Sequence, residues 1–97
     1  MALIFPDRLL INDFEYDIFF KESVTSDSGE RLFGLTVPNA IYILDSLTER
    51  QKWIVLCHEV LHILTYGHPV AEDEFFIDSV ARGLWRFIAQ LEGEWDG

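Results

Sequence analysis

Two imidazoles four residues apart, with a carboxylate directly after the first, occur at His58-Glu59-Val60-Leu61-His62. On a helix, residues i and i+4 stand one above the other on the same face, with Cβ atoms about 5 to 6 Å apart. Both rings then reach a single ion at the roughly 2.0 to 2.1 Å of a zinc–nitrogen bond. Glu59 is turned about 100° from His58 on a helix of 3.6 residues per turn. That is too far round to share the ion and well placed to hydrogen-bond a water bound to it. The spacing predicts a zinc hydrolase site with Glu59 as general base.

The flanking residues support this over three unrelated core polar groups. Trp53-Ile54-Val55-Leu56-Cys57 precede the pattern, and Val60, Leu61, Ile63 and Leu64 fall within or after it, so the helix is packed on most sides. A buried polar group without a partner costs a few kcal/mol, and one shared metal satisfies all three together. Cys57 points away from His58 by the same 100° step and reads as helix packing, not as a thiolate ligand.

Catalytic zinc usually takes three protein ligands and a water, and the candidates for the third are His68, Asp73, Glu74 and Asp78. His68 has the outer spacing of the pattern HExxHxxGxxH, but Thr65 holds the slot of its glycine. With the helix running to Tyr66, the His68 backbone lies about 9 Å beyond His62 at 1.5 Å per residue. Glu74 fits by level, because a short turn after Tyr66 sends a second helix back antiparallel with its first turn beside His62. It fits by face too: positions 74, 77, 81, 84 and 88 read Glu, Ile, Ala, Leu, Ile, so Glu74 is the one carboxylate on an apolar stripe. A favourable charge at a helix N-terminus would also account for Glu74, as it does for Glu72 and Asp73. Glu74 is the expected third ligand, with His68 and Asp78 as alternatives.

The elements that must position these groups follow from local signals. Leu9-Leu10-Ile11, the turn Asn12-Asp13, and Tyr16 to Lys21 predict one hairpin. Ser23 to Glu30 is polar and aperiodic, a surface loop. Leu32 to Val37, Pro38-Asn39 and Ala40 to Leu44 predict a second hairpin, with Gly34 marking a bulge or a close backbone approach. Two overlapping capping boxes, Ser46 with Glu49 and Thr48 with Gln51, open the motif helix, and Gly67 and Pro69 close it after Tyr66. A second helix spans about Glu72 to Leu91, and Glu92 to Gly97 is a polar tail. The expected architecture is α+β: a small antiparallel sheet of two hairpins packed on the His58-Glu59 helix and a C-terminal helix, one domain over residues 1–97.

Composition narrows the partners. A formal charge of −10, with seven scattered Lys and Arg, argues against a nucleic-acid surface. Eight Phe, three Trp and three Tyr in 97 residues supply a core able to fold without disulfides. The single cysteine fits a reducing compartment. No basic leader and no run of about 20 apolar residues is visible, so the expectation is a cytoplasmic protein that does not engage membranes.

The segments Phe33-Gly34-Leu35, Pro38-Asn39, Ala40 to Leu44, Ser46 to Lys52, Leu56 to His62, and Glu74 through Leu84 together resemble the small single-domain zinc peptidases of the ImmA/IrrE and SprT-like groups. These occur in bacteria, phages and mobile elements. The resemblance covers most of the chain and implies an α+β fold with His58, His62 and Glu74 as zinc ligands. The compact turn from Tyr66 to Glu72, with its extra histidine, and the lack of an appended recognition domain depart from the pattern. The expected activity is hydrolysis of peptide bonds in a peptide or protein substrate. His68 or Tyr66 is placed to stabilise an oxyanion, and a strand beside the helix to hold substrate extended. The competing class is an acidic interaction or inhibitor protein whose zinc site is structural or vestigial.

Overall fold

The computed structural model describes residues 4–91 and Gly93. The polar tail read from Glu92 onward lies, apart from Gly93, outside the described residues. Both hairpins form. Strand β1 (Arg8–Ile11) turns through Asn12 and Asp13, both at positive φ (51° and 68°), into β2 (Phe14–Lys21). Positive φ at both central residues is the requirement of a type I′ turn, which Asn and Asp tolerate. Strand β3 (Gly34–Val37) turns through Pro38 and Asn39 into β4 (Ala40–Leu44). Proline fixes a negative φ and Asn39 takes +67°, the sign pattern of a type II turn.

The sheet is mixed, not antiparallel throughout. Its strand order is β1-β2-β4-β3, and the two hairpins join through a parallel pairing of β2 with β4 that sets Ile18 against Ile41 and Phe20 against Ile43. This register puts the isoleucines on one face, where a one-residue slip would turn them to solvent. The loop between the hairpins is tied off by the Thr25–Arg31 bridge and buries Val24.

Helix α1 (Glu49–Leu64) is the central layer. Thr48 caps it and forms the reciprocal box with Gln51, while Thr65 and Gly67 (φ 84°) end it two residues earlier than Tyr66. Leu56 packs with Ile11, Ile18, Ile41 and Ile43 against the sheet, and Cys57 packs with Ala81, Trp85 and Ala89 of α2 (Glu74–Leu91) on its other side. Ile41 and Ile43 are fully buried, each worth about 1.5 to 3 kcal/mol of burial. A 3₁₀ turn at Pro69–Glu72 connects the helices, and Asp73 then caps α2 by accepting from the Phe76 amide at 3.0 Å. Helix α2 runs antiparallel to α1, with Trp53 and Trp85 stacked at 5.3 Å near one end and His62 beside Glu74 at the other. No helix among the described residues is long and apolar enough to cross a membrane.

Candidate metal centre

With Leu56 toward the sheet and Cys57 toward α2, successive 100° steps carry His58 and His62 into the groove between α2 and β3, and Glu59 onto β3 itself. Three donor sets converge there. His58 Nε2 and His62 Nε2 lie 3.1 Å apart, and the Glu74 carboxylate straddles them, Oε2 at 3.0 Å from His58 and Oε1 at 3.2 Å from His62. Taking one atom per residue, the donors lie within 4.8 Å of one another. Tetrahedral ligands at about 2.0 to 2.1 Å from zinc stand about 3.3 Å apart, so the two rings and the straddling carboxylate fit that ion after small side-chain adjustments. Among the described residues no fourth His, Cys, Asp or Glu joins the group.

The other ligand candidates are occupied elsewhere. His68 Nδ1 turns back to accept from the Val70 amide at 3.3 Å, capping the 3₁₀ turn. Asp73 caps α2. Asp78 Oδ1 stands 3.8 Å from His58 Nδ1, on the far side of that ring and beyond hydrogen-bonding range, while its Oδ2 accepts from Arg82 at 2.9 Å. Cys57 is buried against α2, and desolvation pushes its thiol up to about 11, so it is protonated at neutral pH.

Glu59 is 8% exposed, the one buried charged residue among those described. Thr36 Oγ1 donates to its Oε1 at 2.9 Å. Burial raises the Glu59 carboxyl above the ordinary range, opposed by the Thr36 hydrogen bond and by the charges of His58 and His62, and reinforced by Glu74. Thr36 is absent from the sequence-based expectations. Its signal is a polar residue two positions from Gly34 on one strand face, the face whose β4 partners are Ile41 and Ile43. Gly34 allows the approach: a Cβ there would stand 2.5 Å from Val55 Cγ1 and 3.4 Å from Glu59 Cγ. The close backbone approach read from Gly34 is therefore made against α1.

Two clefts flank the centre. One, of about 260 Å³, is walled by Phe33, Leu47, Ile54 and Val55 and reaches His58 and Glu59. The other, of about 500 Å³, lies on the His62 side, between Thr36, Pro38, Tyr16 and the largely exposed Tyr66. Strand β3 runs past both and is an edge of the sheet.

Comparison of the chain with known protein families, with curated proteins and with solved structures finds no match.

Proposed function

We propose that this protein is a zinc-dependent metallopeptidase of the cytoplasm, holding zinc through His58, His62 and Glu74 and cleaving a peptide or protein substrate with Glu59 as general base. One observation carries the reading: three donor groups converge at 3.0 to 3.2 Å beside a buried carboxylate that is not itself one of them. Bound zinc supplies Lewis-acid activation of water and of a carbonyl. Glu59 takes the proton from the attacking water and returns it to the leaving amine. Thr36 holds Oε1, which fixes the carboxylate and makes Oε2 the oxygen that carries the proton. The low exposure of Glu59 keeps bulk water from competing for it. The free edge of β3 supports an extended substrate by strand addition, with a cleft on either side for its side chains.

A structural zinc site needs a fourth protein ligand, and the geometry of His68 and Asp78 favours three. The test is Glu59→Gln, which keeps shape but removes the basic oxygen. Zinc content should equal that of the wild type, while cleavage of a peptide library or a proteome digest falls by about 10² to 10⁴ fold. Equal cleavage by both proteins at equal zinc occupancy, or an equal cellular phenotype that only a zinc-ligand variant loses, would remove the enzyme reading.

A further inference from the structure

Strand β3 pairs with β4 through alternate residues, and this fixes what its free edge offers. The Phe33 carbonyl accepts from the Leu44 amide at 2.8 Å, and the register sets Leu35 opposite Tyr42 and Val37 opposite Ala40. In an antiparallel ladder, hydrogen-bonded and non-hydrogen-bonded pairs alternate. The backbone groups of Leu35 and Val37 therefore turn to β4, and those of Gly34 and Thr36 turn to the open edge. The side-chain positions of Gly34 and Thr36 share the face of their partners Ile43 and Ile41, which packs on α1. Gly34 lies at the cleft that reaches Glu59, and Thr36 at the cleft on the His62 side. The edge thus presents one amide and one carbonyl at each cleft.

The path of the proton sets the direction of a bound chain. In hydrolysis the water oxygen bonds to the carbonyl carbon, the C–N bond breaks, and Glu59 passes the water's proton to the departing nitrogen. That nitrogen belongs to the residue after the scissile bond. Glu59 lines the cleft of about 260 Å³ and not the one of about 500 Å³, so this residue sits at the narrow cleft and the acyl part lies toward His62 and Tyr66. Strand β3 runs the other way, from Gly34 at the narrow cleft to Val37 at the wide one. The substrate is therefore antiparallel to β3, as strand addition to an edge permits. Its residue paired with Gly34 turns the side chain toward α1 and into the narrow cleft. The residue before it, opposite Leu35, forms a non-hydrogen-bonded pair, so its carbonyl points away from β3, into the groove of His58, His62 and Glu74.

The narrow cleft reads that side chain by size and polarity. Its walls are Phe33, Leu47, Ile54 and Val55. Asp78 and Arg82 also line it, but they pair with each other at 2.9 Å and offer a substrate no free charge. An apolar cavity of about 150 Å³ takes a benzene ring, so a cleft of about 260 Å³ takes one side chain of the size of Leu, Met or Phe. A carboxylate would enter it against Glu59 and lose its water without a partner. We infer that the substrate is an extended polypeptide bound antiparallel to β3 and cut on the amino side of a large apolar residue, which the cleft of Phe33, Leu47, Ile54 and Val55 receives. This rests on the peptidase reading and adds to it a direction and a residue class.

Identifying by mass spectrometry the new N-termini in a peptide library digested by the zinc-loaded protein tests it, with Glu59→Gln at equal zinc content as the blank. N-termini that depend on Glu59 should begin with Leu, Met or Phe. Matched synthetic peptides with Ala or Asp at that position should be cut with kcat/KM lower by more than about tenfold. Ile54→Phe narrows the cleft and should move the preference toward Ala and Val, with zinc content and melting temperature checked. Phe33→Ala removes a wall residue that is 66% exposed and outside the core, so it should fold as the wild type does and discriminate less between Leu and Ala. In the Glu59→Gln protein, an uncut Leu peptide should slow hydrogen exchange at the Gly34 and Thr36 amides, which face the open edge. Glu59-dependent cleavage without preference at that residue, a preference confined to the residue before the bond, or peptide binding that leaves both amides unprotected would overturn the inference and leave the peptidase reading standing. A digest with no Glu59-dependent cleavage would remove both.

Discussion

Thr36→Val isolates the contact that holds the proposed base. Valine has the shape of threonine and a higher preference for strands, so propensity and packing predict no loss at this position. What is lost is the hydroxyl that donates to Glu59 Oε1 at 2.9 Å, against a residue only 8% exposed, where little water can replace it. A hydrogen bond to a charged group is worth about 1.5 to 3 kcal/mol. At about 4 to 8 °C per kcal/mol for a domain of this size, the melting temperature should fall by roughly 10 °C. The denaturant midpoint should fall at unchanged slope. Thr36→Ser keeps the donor and should recover most of the loss, although it discards a methyl group. In a cycle with Glu59→Met, which removes both acceptor oxygens, the pair should show a coupling of at least about 0.5 kcal/mol, the lower bound for residues in contact. Thermal and denaturant unfolding of the four proteins, measured free of metal, supplies every term. A Thr36→Val protein as stable as the wild type, or strict additivity with Glu59→Met, would refute the claim that Thr36 positions the carboxylate.

Purified protein should carry one zinc per chain by elemental analysis. Glu74→Ala should lose the metal, whereas His68→Ala, whose ring caps its own turn, should keep it. Chelation should lower the melting temperature, because a ligand at a hundredfold excess over its Kd stabilises the folded state by about 2.7 kcal/mol. Gly34→Ala places a Cβ 2.5 Å from Val55 Cγ1 and should cost about 1 to 3 kcal/mol of overpacking, with Val55→Ala in the same chain relieving it in a denaturation series. Cys57, buried and with its thiol pushed up to about 11, should resist alkylation in the native state and react at full rate in denaturant.

Features governed by a few adjacent residues were legible in the sequence. The two turns follow from Asn12-Asp13 and Pro38-Asn39, whose φ values those residue types tolerate or impose. The start of α1 follows from Thr48 and Gln51, three residues apart. The stacking of His58 over His62 follows from helical periodicity alone; the apolar flanks of the motif announced a helix packed on most sides, and the sheet and α2 cover two of them. The end of α1 was less legible: Gly67 does take the left-handed conformation, but the helix closes at Leu64 and the connection winds into a 3₁₀ turn. Several residues there are each compatible with stopping a helix, and local signals do not rank them.

What the sequence left open depends on pairings between segments far apart in the chain. That β2 and β4 pair in parallel, making the sheet mixed, is decided by burying Ile18, Ile41 and Ile43 together against α1. No turn residue encodes it. The choice of Glu74 over His68 as neighbour of the two rings is settled by where α2 returns along α1. His68 stands nearer in sequence but spends its ring on the Val70 amide. Thr36 reaches Glu59 across 23 residues only because the Gly34 backbone can lie against Val55. Helical spacing put two histidines and a glutamate in register; close packing of a strand and a second helix brought the Glu74 carboxylate to the two rings and the Thr36 hydroxyl to Glu59, since both come from backbone segments that only the folded core brings within hydrogen-bonding distance.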